Sequence, residues 1–211
     1  MTVKAAFFDF DGTCIRGDSV VHIVRYACKN GVSPLRVFPT VGWGLLYKLG
    51  LANECAAKTH GLRFLQRMSP EKRDEFCRSF VRDDLKKRVF KDAEDCIRDL
   101  KEQGFEIWLV SASTENYMRY VKELMGAGTL LCTPIDENGT VKENCKGEEK
   151  VRRIKAEIAH RGIAVDFDAC AAFGDSRSDS PMLSLTGRKC AVNAKKALIK
   201  KLPACEKLSW K

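Results

Sequence analysis

Close to the start of the chain an apolar run, Val3-Lys4-Ala5-Ala6-Phe7-Phe8-Asp9-Phe10, breaks off at Asp11-Gly12-Thr13. A strand with almost no polar face has no side to turn to water. It therefore predicts a place inside a parallel sheet covered on both faces. From about Val89 onward the pattern agrees. Asp92–Gln103 reads as an amphipathic helix closed by Gly104, Phe105–Val110 as a strand, Thr114–Met125 as a helix and Leu130–Thr133 as a short strand. Asn138-Gly139 reads as a hairpin turn, followed by a helix over Glu148–His160, a strand at Ala169–Phe173, a short helix at Pro181–Leu185 and a strand at Lys189–Val192. Such alternation predicts the α/β class, a doubly wound parallel sheet.

Between the first two strands the pattern is helical throughout: Val20–Lys29, Pro34–Leu49, Ala52–Arg67 and Pro70–Lys87, the last with Ser69 as cap and Pro70 in the first turn. That is too much helix for one tight crossover, and it predicts a helical cap inserted after the first strand. The division expected is a core of residues 1–17 and 89–211 and a cap of 18–88. Within the cap, Val41–Leu49 is glycine-interrupted and rich in large apolar groups. It reads as the cap's own core, with a substrate pocket or a contact with lipid as the sharper alternatives. Glu206–Lys211 reads as a frayed tail.

Composition narrows the function classes. No apolar stretch is long enough to span a membrane, and no zoned leader precedes the first strand. The ten cysteines are scattered without a C-x-x-C pair, which predicts reduced thiols in a cytoplasmic protein and no zinc site. A net charge of +9 fits a solvated surface or attraction for anionic substrates. Nucleic acid is not expected, because the basic clusters lack interleaved aromatics. His22, His60 and His160 are isolated and read as surface or packing residues, and Cys14 as a small spacer.

In such a sheet, chemistry belongs at the carboxyl ends of strands. Asp9 and Asp11, two apart, can face one site. Two close carboxylates repel unless a cation neutralises them, and a hard cation with oxygen ligands, magnesium, is the natural choice. The second strand closes on Ser111, whose hydroxyl, with the Ala112 amide, could donate to a phosphate oxygen. The third leads to Gly174-Asp175-Ser176-Arg177-Ser178-Asp179, with two more acids. Lys146 and Lys150 stand before and within a helix start, where an ammonium could reach the same phosphate.

These four motifs, in this order, resemble the haloacid dehalogenase superfamily, and a helical insertion directly after the first motif is similar to the subgroup containing phosphoserine phosphatase. The resemblance implies a magnesium-dependent phosphatase. Asp9 would be the nucleophile that becomes an aspartyl-phosphate, and Asp11 the general acid and then base. Thr13 would hold that acid or the phosphate, and Ser111 and Ala112 the phosphoryl oxygens. Asp175, with Asp9 and the Asp11 carbonyl, would hold Mg2+, supported by Asp179. The motif lysine is Lys150 or Lys146, with Lys150 favoured by its place in the helix start. Asp18 would grip a substrate amine or cap the helix near Val20. Arg63 and Lys58 are the candidates for a substrate carboxylate.

The substrate implied is a small phosphorylated metabolite such as phosphoserine. A lipid head-group phosphatase, with peripheral membrane contact, and a phosphotransferase are the alternatives within catalysis. A non-catalytic binding protein on the same fold is the alternative of another class, opposed by the joint presence of Asp9, Asp11, Asp175 and a lysine.

Overall fold

A computed structural model of the chain describes residues 2–211; Met1 lies outside the described residues. The strands are β1 (Thr2–Val3), β2 (Ala5–Phe8), β3 (Glu106–Thr114), β4 (Thr129–Thr133), β5 (Ala164–Val165), β6 (Ala171–Gly174), β7 (Arg188–Val192) and β8 (Glu206–Leu208). Six of them form one sheet in the order β4-β3-β2-β6-β7-β8, with every pairing parallel. The chain winds outward from β2 through β3 and β4. It then returns to β6 on the other side of β2 and winds outward again. That reversal opens a crevice at the carboxyl ends of the central strands.

The all-apolar β2 sits where its composition demands. Its four residues are fully buried and divide between two cores by alternation. Ala5 and Phe7 face one layer, where Phe7 meets Trp108 edge-on at 5.5 Å. Ala6 and Phe8 face the other, where Phe8 stacks on Phe173 at 4.2 Å. Each phenylalanine buried in this way contributes about 2–3 kcal/mol, so the strand that ends at Asp9 is held from both sides.

Helices α1 (Ser19–Lys29), α2 (Pro34–Lys48), α3 (Glu54–Gly61), α4 (Arg63–Gln66) and α5 (Pro70–Asp83) all lie between β2 and α6 (Lys91–Glu102), which precedes β3. The chain enters and leaves this segment side by side, since Ile15 bridges Val89 and the Arg16 amide donates to the Arg88 carbonyl at 2.9 Å. Beyond β3 come α7 (Glu115–Met125), α8 (Glu148–Arg161), α9 (Ser180–Ser184) and α10 (Lys196–Lys201).

Several elements differ from expectation. The Val3–Phe10 run divides at Lys4, because Thr2–Val3 turns aside to pair with β5 while Ala5–Phe8 enters the main sheet. The helix expected over Ala52–Arg67 breaks at Leu62. Thr40 donates its hydroxyl to the Gly61 carbonyl, and the Leu65 amide goes to Leu62 instead, at 3.0 Å. Asn138-Gly139 does form a turn, with Asp136 accepting from the Asn138 and Thr140 amides, but no strand follows it and there is no hairpin.

The tail is not frayed. Glu206–Leu208 pairs with β7 as the edge strand, and Trp210 is buried, its backbone amide and carbonyl both hydrogen-bonded to the Asn193 side chain. Nor is Val41–Leu49 a core: of the 15 residues of α2 only Val37 is buried, and Val41, Leu45 and Leu49 stand exposed.

Candidate active site

The carboxyl ends of β2, β3 and β6 and the start of α8 converge on one cleft of about 420 Å³. Its walls include Asp9, Asp11, Asp18, Lys58, Ser111, Ala112, Lys146, Lys150, Asp175 and Asp179, so most of the candidate residues share one space. Thr13 is instead fully buried beneath it, where its hydroxyl donates to Asp9 Oδ2 at 3.2 Å.

Asp9 leaves β2 with its amide bonded to the Phe173 carbonyl at 3.0 Å, which fixes its backbone between two strands. Lys150, 1% exposed in the first turn of α8, places Nζ 2.6 Å from Asp9 Oδ1 and 2.7 Å from Asp179 Oδ1. Burial works to strip the Lys150 proton, but the two carboxylates outweigh it and hold the ammonium charged. Asp179 also accepts from the Ser176 amide and hydroxyl, at 3.0 and 2.7 Å. Burial would raise its pKa, but Lys150 and Ser176 together hold it below the usual carboxylate range. Asp9 goes the other way. Burial, reinforced by the charge of Asp179, pushes it up to about 8 in spite of Lys150.

Asp9, Asp175 and Asp179 bring one carboxylate oxygen each within 4.8 Å of one another, and all three are buried. An all-oxygen, acid-rich donor set of three buried carboxylates suits a hard divalent cation. The residues present therefore fit magnesium. Close approach is built into the backbone here. Gly12 has φ +81°, and a Cβ there would stand 2.6 Å from Asp175 Oδ2; one on Gly174 would stand 2.5 Å from Asp179 Cβ.

The Asp11 carboxylate lies outside that cluster. It accepts from the Ser19 amide at 2.7 Å, the Ser19 hydroxyl at 2.9 Å and the Ser113 hydroxyl at 2.5 Å. Tyr117 joins this network through Ser19 at 2.7 Å. Desolvation, then the charge of Asp18, raises the Asp11 pKa to about 6. Ser111 accepts from the Ser113 amide at 3.0 Å, and the Ala112 carbonyl accepts from Lys58 at 2.7 Å. Asp18 caps α1, accepting from the Val20 and Val21 amides at 2.8 and 3.2 Å, while still standing on the cleft wall.

Lys58 and Lys146 also stand on the wall, with Glu54 between them. Lys58 is paired with Glu54 at 3.3 Å, and Glu54 with Lys146 at 2.7 Å. Lys146 thus lies on the rim, away from Asp9, and Arg63 is exposed and off the cleft wall. Sequence reasoning missed Lys195, whose ammonium meets Asp175 Oδ2 at 2.6 Å. Its position just past the end of β7 was a signal. Ser19, Ser113 and Tyr117 were missed as well, and nothing local marks them.

A sheet of this winding, with acids at the ends of β2 and β6 and hydroxyls at the end of β3, is that of the haloacid dehalogenase-like hydrolases, whose family model matches residues 6–184, and the chain belongs to that family. Among individual relatives, it is 26% identical over 217 residues to a phosphoserine phosphatase of Methanocaldococcus jannaschii, covering 96% of this chain and 91% of that one. It is 24% identical over 206 residues to a phosphoserine phosphatase of Mycobacterium tuberculosis, covering 90% of this chain and 64% of that one. The chain spans just under two thirds of the length of such mycobacterial relatives. In structure it is similar to a Bordetella pertussis protein of unknown function, with a TM-score of 0.86, 21% identity and 99% of both chains covered. No helix among the described residues is long and apolar enough to cross a membrane.

Proposed function

We propose that this chain is a magnesium-dependent phosphatase, a phosphomonoester hydrolase working through an aspartyl-phosphate on Asp9. The observation that carries the reading is the buried Lys150 joined to Asp9 and Asp179 beside the Asp175 carboxylate. A lysine and three acids so arranged at strand ends form a receptor for a phosphoryl group and its counterion.

Asp9, Asp175 and Asp179, with the Asp11 carbonyl, would hold Mg2+, which when bound supplies positive charge to the carboxylates and to the phosphoryl oxygens. Asp9 attacks phosphorus, the bond to the ester oxygen breaks, and Asp11 protonates the departing alkoxide. Asp11 then takes a proton from the water that attacks the aspartyl-phosphate, which releases inorganic phosphate and restores Asp9. Lys150 neutralises Asp9 and the incoming phosphate, while Ser111 and the Ala112 amide bind its oxygens. Thr13 steadies Asp9, which its hydroxyl reaches.

Residues 18–88 act as a cap over a core of 1–17 and 89–211. The adjacent crossings at Arg16 and Arg88 support this, because they let the segment move as a unit. The substrate is a small phosphorylated metabolite, with phosphoserine suggested by the names of two relatives. Lys58 and Lys146 on the wall suit a second anionic group on that substrate, and Asp18 an amine.

The test is release of phosphate from a generic ester with and without magnesium, for wild type and Asp9→Asn. Turnover that needs the metal and disappears in the variant is expected. Retained turnover in Asp9→Asn would refute the nucleophile assignment; if wild type releases no phosphate, trapping of its Asp9 by beryllium fluoride, which mimics the aspartyl-phosphate, separates a working site that rejects the generic ester from a silent one.

A further inference from the structure

Helix α2 is an unusual thing to find on a protein surface. Leu35, Phe38, Val41, Leu45 and Leu49 follow one another at three- and four-residue spacing and make one stripe. Leu35 is 85% exposed, Phe38 72% and Leu49 63%. The helix contains Pro39, Gly42 and Gly44, all poor helix formers, and a helix of this length is marginal in water on propensity alone. Apolar patches of this kind mark interaction surfaces.

Charge says what covers it. From Ser19 to Asn53 the chain carries Arg25, Lys29, Arg36 and Lys48 and no acidic residue. Arg36 and Lys48 bracket a wholly uncharged stretch that contains Trp43 and Tyr47. A second copy packed on this stripe by two-fold symmetry would set basic ends against basic ends, with no acid in the run to neutralise them. An anionic lipid surface complements both the stripe and its charge. At about 22 Å the helix is too short to cross the roughly 30 Å hydrocarbon core, so it must lie flat.

We propose that α2 is an interfacial anchor that lays this face of the protein on an anionic bilayer, with the mouth of the cleft beside the membrane. The link to the cleft is direct: at the end of α2, Tyr47 donates to Glu54 at 3.3 Å and is met by Lys146 at 3.3 Å, and both partners are cleft-wall residues. The proposal does not depend on the chemistry of the cleft.

Sedimentation of the full chain with vesicles of phosphatidylcholine, alone or doped with phosphatidylglycerol, tests it. Binding to the doped vesicles is expected, weakened by salt. Phe38→Glu with Leu45→Glu should abolish it and leave hydrolysis of a soluble ester unchanged. Arg36→Gln with Lys48→Gln, on exposed side chains that leave folding intact, should lower partitioning into doped vesicles by about tenfold or more. Absence of sedimentation with either vesicle, or equal sedimentation of the variants, overturns the proposal. So does a concentration-dependent dimer that the glutamate pair disperses, which would make a second copy the occupant.

Discussion

Lys150 carries its charge in a place where a lone ammonium would shed its proton. Its side chain is 1% exposed, and only the two carboxylates at 2.6 and 2.7 Å keep it ionised. Asp9 and Asp179, in turn, are buried together with Lys150 standing between them. Lys150→Met should therefore destabilise the fold by about 3 kcal/mol in the presence of a chelator, because it leaves buried carboxylates without a partner. Urea unfolding measures this, and added magnesium should recover part of the loss; a variant as stable as wild type would show that the three groups are not interdependent. Lys195 is a different case. Its side chain is largely exposed and only its tip touches the buried Asp175. Asp11 ties the chemistry to the helical segment, since its carboxylate holds both the amide and the hydroxyl of Ser19, the first residue of α1.

Among the elements, β2 and β8 mark the limits of sequence reading. The four residues of β2 are all apolar, so its burial on two faces and the position of Asp9 at its end follow from composition and period. β8 has only three residues, two of them charged, and nothing in Glu206-Lys207-Leu208 signals a strand. Its register is set from outside: Arg188 on β7 bonds Glu206 at 2.9 Å, and Trp210 packs 5.8 Å from the Phe173 ring. Trp210→Ala should cost about 3 kcal/mol in chemical denaturation, as expected when a large buried aromatic is cut back, while the folded fraction keeps its turnover per molecule. A stability change under about 0.5 kcal/mol would mean that the edge strand holds without its anchor. Helix α2 marks the same limit. Its periodicity is legible, but which apolar face is covered depends on neighbours that no local pattern encodes.

At the scale of the whole molecule, what was legible is what repeats with the period of an element or stands at its end: the doubly wound sheet, the Asp9 and Asp11 pair, Ser111, Lys150, Asp175 and Asp179. What was not legible arrives from far along the chain, as when Ser113 and Tyr117 reach the residue-19 hydroxyl or Lys195 reaches Asp175. If Mg2+ binds among the buried Asp9, Asp175 and Asp179, as proposed, stability depends on magnesium. At a cation concentration of about 100 times its dissociation constant, binding to the folded state adds about 2.7 kcal/mol. Thermal unfolding should therefore shift upward with magnesium in wild type and much less in Asp175→Asn; an equal shift in both would place the cation elsewhere. One further consequence lies in the crossing at Arg16 and Arg88. Because the two ends of the helical segment meet as hydrogen-bonded neighbours, its length is nearly invisible to the sheet, and the entropy of closing so long a loop grows only slowly with added residues. Residues can be added to or lost from that segment, as links from a chain between two fixed posts, while the strand ends beside it stay in register.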